Sequence, residues 1–263
     1  MTVLSISALL ALLPAAILPF RGGAAPAALF WLLLAVAFAG PMAWVIAAIS
    51  PGWRTGLAPA LWLTVVVTLA AFAVMAVLDA ESRRLSALLL PYLILLGLAA
   101  TVWQHQPERP MEGGAPATWV RLHIALSLVT YAVLTLAAVA GVSAFLQDRA
   151  LKRKSPDRLS GALPSLAAAE RLELRLLGLA AVLLALGLVT GMAVQHFETG
   201  TLIAVTHKTL LSIATLAVVL GLLVARRTSG LRGKAAARIV MLAYLLLTLA
   251  YPGVKFVTDV LLA

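Results

Sequence analysis

Cysteine is missing from this chain of 263 residues. Its absence excludes disulfide bonds, zinc sites built from thiolates, covalent thioether attachment of a prosthetic group to this chain, and a cysteine nucleophile. The redox compartment of the protein stays undetermined, because compartments are usually inferred from cysteine usage.

Charged residues are also scarce. They make up 11% of the chain, compared with about 25% of an ordinary soluble domain. Hydrophobic residues make up 63%, and the mean hydropathy is +1.05. Several stretches carry no charge over the roughly 20 residues that a helix needs to cross a bilayer. We therefore predict an integral membrane protein whose main partner is the lipid bilayer.

Common enzyme signatures are absent as well. The chain has no G-x-S-x-G, no H-E-x-x-H and no glycine-rich phosphate loop that opens a helix. The net charge of +10 could indicate a nucleic-acid partner, but the basic residues lie mostly in short segments between apolar stretches, as membrane topology requires. We expect neither a catalytic role nor nucleic-acid binding.

The apolar stretches predict an all-α bundle of about eight transmembrane helices. The predicted spans lie near residues 3–20, 27–49, 57–78, 86–104, 121–146, 174–195, 204–225 and 239–261. The whole chain, 1–263, is expected to form a single membrane domain, and its first four spans, within 1–104, are the less distinctive ones.

The basic residues are distributed unequally between the two sides of this bundle. Fifteen of the twenty fall on one side and five on the other, and the richer side is expected to face the cytoplasm. Both termini then lie outside a bacterial-type inner membrane, and residues 147–172 form a basic cytoplasmic loop. That loop is either a solvated topology signal or a docking site for a partner. The segment L-A-A-A-E-R-L-E-L-R, residues 166–175, is predicted to begin a helix at the inner interface that keeps Glu170, Arg171, Glu173 and Arg175 at headgroup level.

The four histidines gather on one side of the predicted bundle. His105, His123, His196 and His207 map to the outer ends of spans four to seven. A neutral imidazole ligates haem iron and other transition metals, and it is expensive to leave without a partner in lipid.

His123 is the strongest candidate among them. Ser127 and Tyr131 follow it at helical spacing in H-I-A-L-S-L-V-T-Y, which places three polar groups on one inward-looking helix face. The alternative is an interfacial histidine hydrogen-bonded to a neighbouring helix, with the other two side chains joining helices.

His207 and Lys208 open the seventh span in V-T-H-K-T-L-L-S. Lys208 could meet a bound anion, such as a propionate, and His207 could supply a second iron ligand. Both residues can also be explained as an interfacial histidine and a snorkelling lysine. In the last span, Lys255 and Asp259 are four residues apart and can pair on one helix face. Snorkelling is sufficient to explain them, and a proton relay is the alternative.

Five segments in the second half of the chain together resemble one family, the cytochrome c assembly proteins of the CcsA, CcmC and HemX-like group. The resemblance covers roughly residues 118–263. The segments are W-V-R-L-H-I-A-L-S-L-V-T-Y-A, L-G-L-V-T-G-M-A, T-H-K-T-L-L-S, G-L-R-G-K-A-A-A-R and L-L-L-T-L-A-Y-P-G-V-K-F.

This resemblance implies a polytopic inner-membrane protein that handles haem at the outer face, with His123 matching the outer histidine that ligates haem. Two family features are missing. The segment H-F-E-T-G-T-L-I-A-V-T-H has no tryptophan, and V-K-F-V-T-D-V-L-L has no second histidine. The chain is therefore most similar to the short YpjD-like subgroup.

The expected function is haem binding in cytochrome c biogenesis, with haem and other biogenesis proteins as partners. One alternative is a HemX-like regulatory or scaffold protein that acts on haem synthesis or on another membrane protein. A small transporter is the third hypothesis, although the span interiors lack the buried charges expected of one.

Overall fold

The computed structural model describes residues 1–21, 26–50, 54–105, 109–110, 114–154, 157–202, 206–257 and 260. Within them, eight helices are long and apolar enough to cross a membrane, which confirms the predicted all-α bundle. The described residues form ten α-helices, of which α6 and α10 are short. They are α1 Thr2–Ile17, α2 Ala27–Ile49, α3 Leu57–Leu78, α4 Ser86–Val102, α5 Ala117–Arg153, α6 Arg158–Ala162, α7 Leu166–Thr199, α8 His207–Thr228, α9 Gly233–Thr248 and α10 Val254–Phe256.

Short elements complete several of these helices. A 3-10 turn, Leu18–Phe20, ends α1, another, Ala80–Leu85, leads into α4, and a π-helical turn, Leu249–Gly253, joins α9 to α10. Two two-residue strands, β1 Arg54–Thr55 and β2 Arg109–Pro110, pair antiparallel and tie the α2–α3 connection to the α4–α5 connection.

Helix ends follow local sequence signals. Ser165 and Thr206 cap α7 and α8 by accepting hydrogen bonds from backbone amides three residues on. Gly200 ends α7 in the left-handed conformation, where glycine carries no Cβ penalty. The predicted spans five and six are longer in the structure at the end near the basic loop, since α5 runs on to Arg153 and α7 already begins at Leu166.

Helix α5 lies at the centre of the bundle. It packs along α7 and also contacts α3, α4 and α9. Its middle, 130–141, is buried at every position and rich in alanine, and small side chains let membrane helices approach closely. His123 therefore lies on the most enclosed helix of the fold.

Contacts between helix ends show which helix termini lie together at each end of the bundle. At one, which we call the cavity end, Ser5 Oγ lies 2.9 Å from Gln104 Oε1 and the rings of Trp103 and Phe256 are 5.1 Å apart. The start of α1, the end of α4 and the end of the last span thus lie together. Both terminal spans reach the same end, as an even number of crossings requires.

The opposite end, the loop end, carries most of residues 147–172. Much of that segment is helical, comprising the end of α5, the short α6 and the start of α7. Gln147 Nε2 donates to the carbonyl oxygens of Ser160 at 2.8 Å and Pro164 at 2.9 Å. These bonds fold the segment back against α5.

Glu173 differs from its prediction. Instead of lying at headgroup level, its side chain is 1% exposed and forms an ion pair with Arg226 of α8. Gly141 of α5 makes room for this carboxylate, because a Cβ at position 141 would lie 3.2 Å from Glu173 Oε1. Three helices therefore meet around one buried charge pair, which needs the partner because an unpaired charge is costly in a low-dielectric interior.

All four tyrosines of the chain meet inside the bundle. The hydroxyl of Tyr131 lies 2.9 Å from that of Tyr244 and 3.1 Å from Thr248 Oγ1, and Tyr92 also hydrogen-bonds Tyr244. The ring of Tyr251 lies 6.4 Å from that of Tyr131. Polar groups in lipid must satisfy each other, so this cluster fixes α4, α5 and α9 against one another.

Candidate ligand site around His123

His123 lies in the second turn of α5, at the cavity end, and faces α7. Its Nδ1 atom is 3.1 Å from the carbonyl oxygen of Gly187 and 3.2 Å from Thr190 Oγ1. These two contacts fix the plane and the direction of the imidazole ring.

The contacts also fix the tautomer. A carbonyl oxygen can only accept, so Nδ1 must carry the proton and donate it. The hydroxyl of Thr190 donates to the carbonyl oxygens of Leu186 and Gly187, at 3.1 and 3.0 Å, which leaves its oxygen to accept from the imidazole. In the neutral ring, Nε2 then keeps a lone pair. An imidazole held through one nitrogen by a backbone carbonyl is the usual arrangement of a metal-ligating histidine.

Gly191 lets the ring lie flat against α7. A Cβ at position 191 would lie 3.0 Å from His123 Cε1 and 3.4 Å from Nδ1, which is closer than ordinary van der Waals contact. A side chain here would displace the ring. The sequence L-G-L-V-T-G-M-A thus supplies a carbonyl acceptor, a hydroxyl acceptor and a flat surface over little more than one helical turn.

Two cavities meet at His123. The larger, about 470 Å³, lies between α5, α7, α8 and the last span, and the smaller, about 270 Å³, lies between α2, α3, α5 and the last span. Both lie in or near the size range of small-molecule sites in proteins. The residues that line both cavities are His123, Ser127, Lys208 and Tyr251.

Four of the five predicted site residues contribute to this lining. Ser127 and Lys208 line both cavities, and Tyr131 lines the larger one together with His123. His207 is exposed at the start of α8 and lies outside both linings. His105 and His196 are also exposed and outside them.

Several residues of the site were not predicted from the sequence. Gly187, Thr190 and Gly191 position the imidazole, and Met192 and Tyr251 line the larger cavity. Their segments were among those that carry the resemblance, but nothing in the sequence alone told which side chains face His123.

Other metal chemistry has little support in the described ranges, where no three histidine or acidic side chains come together in a metal-binding group. Asp259, the predicted partner of Lys255, lies outside the residues described. Lys255 itself lines the smaller cavity.

Comparisons with known proteins found one family model and a similar protein. A family model described as cytochrome C assembly protein matches residues 27–262, which includes spans two to four as well as the second half of the chain. A protein of Azospirillum brasilense, described as an uncharacterized 28.8 kDa protein in the nifR3-like 5' region, is 51% identical over 265 residues, covering 99% of this chain and 98% of that protein. No solved structure matches. The chain belongs to the cytochrome c assembly protein family.

Proposed function

We propose that this membrane protein binds haem at the cavity end, with His123 as an axial ligand, and handles it during cytochrome c biogenesis. The single observation that carries the proposal is that His123 lines both cavities while its Nδ1 donates to the carbonyl oxygen of Gly187. This arrangement leaves the other ring nitrogen with its lone pair at the junction of two cavities, as a ligand to iron requires.

The surroundings of His123 fit a porphyrin. The smaller cavity has apolar walls that include Trp44, Ile49 and Leu63, which suit a flat hydrophobic body. The larger cavity adds polar groups, including Gln195 and Ser212. A mostly apolar site with a few placed polar groups is typical of cofactor binding.

Haem would supply the iron and its redox chemistry, and the chain would supply an oriented imidazole and a site that limits water. The second axial ligand remains a prediction. His207 was predicted for it from the sequence, and Met192 offers a thioether in the larger cavity, a ligand that c-type cytochromes use opposite histidine.

We infer that the cavity end faces outward from a bacterial inner membrane. The supporting observation is the excess of basic residues, fifteen of twenty, on the opposite side. Because the chain has no cysteine, single cysteines at His105→Cys and Lys154→Cys can be labelled in intact cells by a thiol reagent that does not cross membranes. We expect labelling at 105 and protection at 154, and the reverse pattern would contradict the orientation.

Haem binding is tested by titrating haemin into the purified protein in detergent and recording the Soret band. Wild type should give a ligated haem spectrum, and His123→Ala should lose it. His196→Ala removes an exposed imidazole of α7 at the same end of the bundle and is the matched control. If His123→Ala and His196→Ala bind haemin as wild type does, ligation by His123 is refuted. Loss of binding in His207→Ala would support the second ligand predicted from the sequence.

A steric test asks the same question without removing the ligand. Gly191→Ala puts a methyl group against the imidazole, whereas Gly187→Ala meets nothing within 4 Å and keeps the carbonyl acceptor. We expect the first to weaken haemin binding by about tenfold, the effect of a modest misplacement of one ligand, and the second to leave it unchanged. Equal affinities would argue against a ring held by α7.

A scaffold function is the second candidate, and the exposed cations at the loop end favour it. Arg149, Lys152 and Arg153 are exposed or solvent-facing on the last turns of α5. Reversing these charges to glutamate should abolish complementation of a deletion strain if the basic segment docks a partner. Full complementation by a correctly inserted charge-reversed variant would exclude that role.

A further inference from the structure

Lys208 occupies a position that a lysine with only a topological role would not need. It lies in the first turn of α8, next to His123 and Ser127 in the lining of both cavities. A lysine that merely snorkels extends along the lipid-facing side of its helix toward water. Lys208 is exposed, yet it lines both of the half-open cavities that His123 shares.

A second feature of Lys208 is the pairing of its ammonium group. No ion pair or hydrogen bond joins it to another side chain among the residues that the structure describes. Glu198 lines the larger cavity but does not pair with it. A cation beside a low-dielectric cavity attracts an anion more strongly than it would in bulk water.

The groups next to Lys208 include further sources of positive potential. Lys255 brings a second positively charged side chain to the smaller cavity. Thr206 and Thr209, at the start of α8, line the larger one, so the positive end of the α8 dipole points toward the site. Lys255 makes an interaction of its own, so Lys208 is the cation available to a ligand among the described lining residues.

From this arrangement we propose that Lys208 is a specificity-determining residue, which binds a carboxylate of a ligand whose apolar body lies beside His123. The inference extends the proposed haem function and rests on it for the identity of the apolar part of the ligand. The chemistry recognised is a flat apolar ring system with an anionic edge. For haem, the anionic edge is its pair of propionates.

The inference predicts a preference between ligands that differ only in charge. Haemin and haemin dimethyl ester share the iron and the ring, and the ester lacks the anionic carboxylates. A charge-assisted hydrogen bond in a partly desolvated site is worth about tenfold in affinity. We expect wild type to bind haemin about tenfold more tightly than its dimethyl ester, and Lys208→Gln to bind both about equally.

The matched control is Lys234→Gln, which removes an exposed lysine at the loop end and should keep the preference of wild type. Metal-free protoporphyrin and its dimethyl ester, followed by fluorescence, form a second pair of ligands. Both lack the iron, and only free protoporphyrin keeps the carboxylates, so the preference for protoporphyrin over its ester should depend on Lys208 and not on ligation by His123.

These titrations separate the inference from the proposed function. Haemin bound by wild type with no preference over the ester would overturn the role of Lys208 and leave haem binding standing. Failure of haemin to bind, with protoporphyrin binding that depends on Lys208, would overturn ligation and support the carboxylate site. Binding of neither porphyrin would overturn both.

A phospholipid headgroup is the other source of an anion at this depth. The haemin titrations are therefore repeated in micelles that contain phosphatidylglycerol. Unchanged preference supports a ligand site, whereas loss of the preference assigns Lys208 to a lipid phosphate and overturns the inference.

Discussion

Replacing Arg226 with alanine should destabilise the protein more than any other single loss of a charge at the loop end. The Arg226 side chain is 8% exposed and that of Glu173 is 1% exposed. Arg226→Ala leaves a buried carboxylate against Gly141 without its partner. Removing one partner of a buried ion pair costs about 3–5 kcal/mol, because the other charge stays buried without compensation.

The reciprocal substitution should cost less. Arg226 lies in the last turn of α8, so in Glu173→Gln its long side chain can extend toward water and toward the negative end of the helix dipole. Glutamine also keeps an acceptor for the guanidinium. We expect a cost of about 1–2 kcal/mol, comparable with the loss of one charged hydrogen bond.

Equilibrium unfolding in mixed micelles with increasing sodium dodecyl sulfate, followed by circular dichroism, measures both costs. Arg227→Ala is the matched control, since Arg227 is exposed and should change stability by no more than about 0.5 kcal/mol. The double variant Glu173→Leu with Arg226→Met should regain most of the lost stability. The reasoning is refuted if Arg226→Ala costs no more than Arg227→Ala, or if Glu173→Gln costs as much as Arg226→Ala.

Three further outcomes are expected. Gly141→Ala should lower the free energy of unfolding by about 1–3 kcal/mol in the same assay, because the new methyl group presses on the buried carboxylate. Gly178→Ala meets nothing within 4 Å and should be neutral. Equal effects of the two substitutions would contradict this. Tyr244→Phe should cost about 1 kcal/mol, since it removes the hydroxyl that joins two other tyrosines, and a neutral result would show that the cluster does not hold the helices. Asp157 accepts hydrogen bonds from Ser160, and these bonds hold the pKa of its carboxyl below the ordinary value. The stabilisation of α6 by this cap is therefore fully present above about pH 4. It is lost as the pH falls through the lowered pKa. Hydrogen exchange of α6 should therefore speed up in acid for wild type and much less for Asp157→Asn, which keeps an acceptor when the carboxylate would be protonated.

The sequence was a good guide to the number of spans and a poor guide to the length of two of them. Hydropathy detects the apolar middle of a helix, but α5 continues beyond it through residues such as Gln147 and Arg149, and α7 begins before it. Polar residues of this kind favour helix without being apolar. Glu173 was misplaced for a related reason. Its burial depends on Arg226, more than fifty residues away, and no local pattern shows which charges will meet.

The candidate site was predictable along one helix and not across two. The spacing of His123, Ser127 and Tyr131 put them on a common face, and all three line the larger cavity. The acceptors for the imidazole lie on α7, so they depend on how two helices pack. That packing is set by close approach at positions such as Gly191, which a hydropathy profile does not detect.

The length of α5 gives the protein a mechanical property. Thirty residues separate His123 from Arg153, both in the same helix, which corresponds to about 45 Å of continuous rod. The helix contains no proline, so no proline kink interrupts it between these two residues. A tilt of about 5° at the His123 end would move the Arg153 end sideways by about 4 Å. A change in helix position at one membrane surface would then alter the position of Arg153 at the other.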